Sequence, residues 1–494
     1  MTLAMARCPL LSGMVRRLGR LAVGAGLLCS FAASANAAGV FLSDRGVRPL
    51  GRGGAFVAGA DDLQSIWYNP AGLTEAGTQI LVDAAYIEYD STFKRSSIPV
   101  GSSTNGNASP VAYPVVQGSN SFNALPTLAI SSDFGLKTWD FAFGIFTPYT
   151  ALPEYSATYD NGTTTPSPGP QRYSLISAKN TALVTLGLYA AKSFLDGKLS
   201  IGLGPELLVG QISTRLALSN CPPGGVICSE QDPSYDALTQ LDAGVVVAPS
   251  LSFGAIYRIN PMWRVGFSGH LPTWIDTGAK ITVQLPNAPI FDSATVQGNH
   301  AQVKLTLPAI LRLGVEMRPL ENLRIELAFV YEGWSINDKI SILANHSNGV
   351  ALHGVTGFPD PYAVGDLYMQ EHFHDTVSAR LGGEYFGGTR SFGYVVRLGG
   401  SYNPSAVPDA YKSVYTIDAD KFIGSLGAGL HFSGFTVDVT YAHIFALNVS
   451  VDPAKAKQTP LNPVRSSDAP ATAVNGGKYT ENANIVGLAL GYKF

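Results

Sequence analysis

The chain has 494 residues with Lys+Arg 33 against Asp+Glu 36, a formal net charge of -3, and only 14% of its residues are charged, where soluble proteins average about 25%. That balance excludes the broad basic patch of a nucleic-acid-binding protein, and a hydrophobic content of 46% excludes a disordered chain. A soluble protein of this length would fold as roughly two to four domains, and the elements below give the apolar residues a different destination.

At the N-terminus, Arg7, Arg16, Arg17 and Arg20 precede an apolar run from Leu21 to Ala33, followed by the small residues Ala35, Asn36 and Ala37. This is the pattern of a secretory signal peptide over residues 1–37. The run is too short for a helical membrane span of about 20 residues. Cleavage there leaves only Cys221 and Cys228, in a Cys-Pro-Pro-Gly-Gly-Val-Ile-Cys stretch. In an oxidising compartment a disulfide between them is expected. No further ligand for a metal lies nearby in sequence.

Residues 38–78 are not strand-like. They are rich in small residues and carry paired Asp61-Asp62 and an Asn69-Pro70-Ala71 turn. Gly51-Arg52-Gly53-Gly54 lacks the Lys-Ser/Thr of a phosphate loop.

From residue 79 onward the apolar residues alternate. Leu311, Leu313, Val315 and Met317 are interleaved with Arg312, Gly314, Glu316 and Arg318, and Leu323 to Tyr331 and Val486 to Phe494 follow the same rule. Alternation puts one apolar and one polar or small face on each strand. Several segments approach ten residues, the length that crosses a bilayer when tilted, whereas sandwich strands usually have about five or six. Only helices and closed barrels satisfy every backbone group in lipid, and no apolar stretch is long enough for a helix. The expectation is an all-β, antiparallel transmembrane β-barrel spanning 79–494. Fourteen strands are predicted, near 79–93, 121–133, 139–147, 179–192, 198–214, 240–258, 262–284, 296–318, 322–344, 371–387, 392–404, 414–432, 434–450 and 478–494. Trp139, Tyr257, Trp263, Tyr331, Trp334, Tyr402 and Tyr492 suit the aromatic girdles of such a barrel. Short turns near 195–198, 260–261, 319–322 and 433–434 would face the periplasm, and longer connections the exterior.

The stretch AGVFLSDRGVRPLGRGGAFVAGADDLQSIWYNPAGLTEAG resembles the mature N-terminus of the FadL/TodX family of outer-membrane transporters. Residues 144–149, 305–308, 331–335 and 405–408 extend the resemblance in order along the chain. The resemblance implies a fourteen-stranded barrel with residues 38–78 folded inside as an N-terminal hatch, located in the outer membrane of a Gram-negative bacterium among lipid and lipopolysaccharide, as a monomer without a cofactor. It further implies transport of hydrophobic small molecules, long-chain fatty acids first and aromatic or alkane hydrocarbons as the alternative. Capture would occur at an extracellular apolar groove, followed by hatch movement around Asn69, Pro70 and Ala71 and lateral exit beside a third strand kinked at Gly144 and Pro148. A fatty-acid carboxylate in a dry pocket needs a cation. Arg215 is the first candidate by position, with Lys339 and His374 behind it. An adhesive or structural surface barrel and a general porin are the other classes considered. For an enzyme, His270 and His443 have no nucleophile at a recognisable spacing. His372 and His374, flanked by Glu371 and Asp375, lack the further partners a metal site requires.

Overall fold

The computed structural model describes residues 39–41, 44–97, 112–119, 123–147, 149–151, 153–178, 181–222, 228–344, 349–389, 391–464 and 471–494. The expected signal peptide, 1–37, and Pro148 lie outside the described residues.

A single closed antiparallel barrel of fourteen strands accounts for most of the chain. The first six are β1 (Gln79–Arg95), β2 (Val115–Gly118 and Asn123–Ser132), β3 (Trp139–Phe146), β4 (Ala182–Phe194), β5 (Leu199–Ser219) and β6 (Asp236–Arg258). Next come β7 (Trp263–His270 and Thr273–Gln284), β8 (His300–Leu307 and Ala309–Leu320), β9 (Leu323–Gly333 and Lys339–Leu343) and β10 (Leu367–Gln370 and Thr376–Gly388). The circuit ends with β11 (Phe392–Asn403), β12 (Lys421–Phe432), β13 (Phe435–Ala446 and Val449–Val451) and β14 (Gly477–Lys493). β14 pairs with β1 from Lys493 opposite Gln79 to Gly477 opposite Arg95, so the sheet has no free edge there.

The alternation read from the sequence is the alternation of the wall. On β8, Leu311, Leu313 and Val315 face out and are exposed, while Arg312 and Glu316 face in and are buried. On β9, Leu327, Phe329 and Tyr331 face out, and Glu326, Ala328 and Val330 face in. This inverts a soluble core, as a lipid-facing barrel must. Among the described residues no helix is long and apolar enough to cross a membrane.

Three expectations are corrected. Strand twelve starts at Lys421 and not near 414, because 414–420 folds as a lining segment. There Asp418 accepts from Ala406 N at 2.7 Å and Asp420 from Ser405 N at 2.8 Å, which takes the segment out of the ladder. Trp334 does not belong to an interfacial girdle. It opens a 3-10 turn, Trp334–Ile336, inside β9 and lines the lumen. Gly144 does not interrupt pairing: it sits in register opposite Ala129 and Gly187.

The third strand does end early, at Phe146. Tyr149–Ala151 forms a separate ladder with Gly39–Phe41. Consequently, among the described residues, β2 beyond Thr127 and β4 beyond Thr185 have no β3 partner.

Inside the barrel lies the hatch, with short helices α1 (Val47–Leu50), α2 (Ser65–Tyr68) and α3 (Leu73–Ala76). Val47, Phe56, Leu63, Ile66, Tyr68 and Leu73 are buried, and each contributes roughly 1.5–3 kcal/mol of apolar burial.

Candidate functional site

The hatch is fastened to the inner wall by charge. Arg52, fully buried, donates to Glu384 at 3.1 Å and to Glu316 and Glu326 at 3.3 Å. Arg48 reaches Glu384 at 2.7 Å, Asp61 at 2.6 Å and Asp62 at 2.9 Å. From the wall, Arg264 binds Glu316 and hatch residue Glu75, Arg324 binds Asp61, and Arg397 joins Glu384 to Asp438. Glu326 also accepts hydrogen bonds from Val57 N at 2.6 Å, Ala58 N at 2.9 Å and Gly59 N at 2.8 Å. Burial opposes the charge on Arg48, yet Asp61, Glu384 and Asp62 outweigh it and raise its pKa well above the ordinary value. Burial likewise opposes the charge on Asp61, but Arg48 and Arg324 hold it below the usual carboxylate range.

The Asn69-Pro70-Ala71 turn seats on β5 and β6. Asn69 Nδ2 donates to Val57 O at 2.9 Å and to Ala255 O at 3.2 Å, and its Oδ1 accepts from Ala71 N at 3.2 Å. Pro70 starts a 3-10 turn at a position that needs no amide donor. This close approach requires glycine in the wall. A Cβ on Gly202 would lie 2.3 Å from the Pro70 carbonyl carbon, and one on Gly254 would lie 2.0 Å from Asn69 Oδ1. Arg45 stacks 3.8 Å over Trp67 and donates to Thr147 O, tying the hatch to the end of β3.

Above the hatch is a cavity of about 220 Å³. Its walls are mostly apolar, with Leu50 and Asp44 from the hatch, Ile87, Ile275, Leu305 and Ile485 from the strands, and Tyr415 to Asp418 from the lining segment. Four carboxylates border it, each already engaged. Asp44 receives Arg380 Nε at 2.9 Å, Glu332 receives Trp334 Nε1 at 2.8 Å, Asp418 receives Lys421 Nζ at 2.5 Å, and Glu481 receives the Tyr89 hydroxyl at 2.7 Å. Among the described residues, Lys421 is the one cationic side chain in the lining.

None of the sequence-derived carboxylate partners borders this cavity. Arg215 lies on β5 opposite Gln240, half-buried, with its backbone bonded to Ser177. Lys339 is exposed on β9, 4.5 Å over the Tyr368 ring. His374 is exposed and donates its backbone N–H to Ala406 O at 2.9 Å. His372 pairs with Asp338 at 2.6 Å. Cys221 and Cys228 are joined by a disulfide with Cα atoms 5.9 Å apart. His270 is a hatch anchor, bonded to Trp67 O at 2.8 Å and to Glu206 at 3.2 Å.

Sequence reasoning missed the carboxylates and Lys421 of the cavity, because each sits on the polar face of a strand or in a loop with no motif around it. For the hatch lock a usable signal was present. Charges at the inward positions of β8, β9 and β10, Glu316, Glu326, Arg380 and Glu384, had to find partners, and the hatch carries Arg48, Arg52, Asp44 and Asp61.

Comparison with known proteins places this architecture. The crystal structure of a Pseudomonas aeruginosa FadL homologue is similar at a TM-score of 0.68 and 15% identity, covering 92% of this chain and 100% of that one. The Pseudomonas putida toluene transporter TodX matches at a TM-score of 0.59 and 14% identity, over 92% of this chain and 99% of that one. For the Ralstonia pickettii toluene transporter TbuX the values are 0.55 and 16%, over 92% and 99%. At these identities the likeness is one of fold. No curated protein sequence matches the chain significantly. The family model described as outer membrane protein transport protein (OMPP1/FadL/TodX) matches residues 28–494, and with the hatch-filled fourteen-stranded barrel this establishes that the chain belongs to that family of outer-membrane transporters of hydrophobic compounds.

Proposed function

We propose that the protein carries small, neutral hydrophobic molecules of the monoaromatic size class across the outer membrane of a Gram-negative bacterium, acting as a single barrel amid lipid and lipopolysaccharide. The observation that carries this reading is the cavity itself. A cavity of about 150 Å³ holds benzene, so one of about 220 Å³ suits a substituted ring better than a complete long acyl chain. Among the described residues the one cationic side chain of its lining, Lys421, is already paired with Asp418, so a bound carboxylate would find no free cation to offset its charge in a mostly apolar site. Capture would begin at the apolar extracellular pocket between Leu218, Val350 and Leu461. Movement of the hatch about Asn69–Ala71 would follow, with exit through the wall where β3 stops at Phe146.

A fatty-acid reading rests on one feature, Lys421. It would require Lys421 to exchange Asp418 for a ligand carboxylate; Arg215, Lys339 and His374 lie off the cavity lining. Equilibrium binding to the purified protein in lipid nanodiscs separates the two readings. Saturable binding of toluene that Lys421→Met leaves unchanged supports the neutral-substrate reading. Saturable binding of oleate that Lys421→Met abolishes supports the fatty-acid reading.

A further inference from the structure

The wall carries a second interruption, remote from β3. β6 pairs with β7 in two separate stretches, 238–243 against 279–284 and 252–258 against 264–270. Between them, residues 244–251 of β6 and 271–278 of β7 have no ladder partner across the seam, although 246–251 keep their pairing to β5, which shifts register at 244–245, and 273–278 keep theirs to β8. Among the described residues, three hydrogen bonds cross it. Leu271 N donates to Leu251 O at 2.9 Å, Ser250 Oγ to Leu271 O at 3.1 Å, and Thr277 Oγ1 to Val245 O at 3.3 Å.

Val245 and Leu251 turn their carbonyls toward β7, so strand alternation turns the backbone of residues 247 and 249 the same way. At one of these places stands Pro249, and Pro272 stands on the opposite strand. Neither has an N–H to leave orphaned in hydrocarbon, where an unpaired donor is costly. On the outside the seam is apolar, with Val245, Val247 and Trp274 at 79%, 56% and 60% exposure. Asp276 is its one charged residue and is paired with Lys304 at 3.1 Å.

Behind the seam stand small or slender side chains. Val246, Ala248 and Ile275 close it from within, and Ile275 is also a wall of the main cavity. A second cavity of about 40 Å³ is bordered by Ser250, Leu271 and Thr273 at the seam and by Trp67 of the hatch, and Leu307 borders both cavities. Leu271 thus borders this cavity while 43% exposed.

We propose that the β6–β7 seam is a lateral portal of its own, through which neutral apolar molecules pass between the cavity and the hydrocarbon of the membrane. The proposal rests on the transport reading above and adds a route distinct from the end of β3. It is tested by bridging the seam. Gly244→Cys with Gly278→Cys is joined by a short thiol-specific cross-linker cleavable by reductant, and uptake of labelled toluene into proteoliposomes is followed. A pair on the laddered part of the same strands, Tyr257→Cys with Val265→Cys, serves as control. The expected result is at least a twofold loss of uptake on bridging the seam, full recovery in the same sample after reduction, and no loss for the control. A bridged seam that transports like the reduced protein overturns the portal and leaves the transport reading standing. No uptake by the reduced protein removes the transport reading and the portal with it. In parallel, an arene bearing a photoreactive azide should label 245–249 and 271–276 in competition with toluene, and label confined to the break at β3 counts against the portal.

Discussion

The fastening of the hatch can be tested at one side chain. Glu326 is fully buried on β9 and accepts three consecutive hatch amides, Val57, Ala58 and Gly59, in addition to Arg52. Hydrogen bonds to a charged acceptor are worth about 1.5–3 kcal/mol each, so the three together are gross stabilisation of roughly 4–9 kcal/mol. Glu326→Ala opens room for water to solvate the freed amides, and Arg52 keeps Glu316 and Glu384, so the net loss of hatch docking should be about 3–4 kcal/mol. That corresponds to an increase of two to three orders of magnitude in the undocked population, on the order of 10²–10³. Single-channel recording in planar bilayers reads this directly, as opening events whose frequency rises by that order while the barrel keeps its heat-resistant migration in SDS gels. Glu326→Gln, which retains an acceptor oxygen, should fall between. An opening frequency and a hatch protease sensitivity equal to those of the parent would refute the reasoning.

Two further substitutions probe the pathway. Gly254→Leu would drive a side chain into Asn69 Oδ1, which a Cβ would already approach to 2.0 Å. Uptake should fall and the hatch should become protease-sensitive with the barrel intact, and unchanged protection would show that the Asn69-Pro70-Ala71 turn is not seated on β6. Ala483→Phe fills the main cavity from β14, where Ala483 is buried in its lining. Losing roughly 1.4 kcal/mol of apolar burial by the ligand is a factor of ten, so toluene affinity should drop about tenfold or more, and equal affinity would move the binding site elsewhere.

The barrel was legible because lipid outside and a filled lumen inside impose a period of two on every wall strand. Segments such as 311–318 and 323–331 therefore declare their faces without reference to any neighbour. Strand ends were less legible where a loop competes with the ladder. The stretch 414–420 is apolar and alternating enough to continue β12, and only the capping of Ser405 and Ala406 by Asp420 and Asp418, distant backbone groups, draws it into the lumen. The hatch was legible through its motif, and Asn69 and Pro70 take up a sharp turn. The cavity was not, since its lining comes from the hatch, from eleven strands and from two irregular segments, and Lys421 and Asp418 carry no mark of their destination in sequence. Position along a resemblance pointed to Arg215, which the register places beside Gln240 and off the cavity lining. The seam between β6 and β7 was hidden for a similar reason: residues 240–258 alternate well enough for one continuous strand, and pairing to β5 keeps them one, while the partner on the other side is missing.

The central claim is that a neutral hydrophobic molecule, not a free carboxylate, is what the lumen accepts. Paired uptake of labelled toluene and labelled oleate by cells lacking their own transporters, expressing this protein at matched surface level, tests it most directly. The account predicts uptake of toluene that Ala483→Phe suppresses and no gain for oleate. Oleate uptake without toluene uptake, suppressed by Lys421→Met, would contradict it.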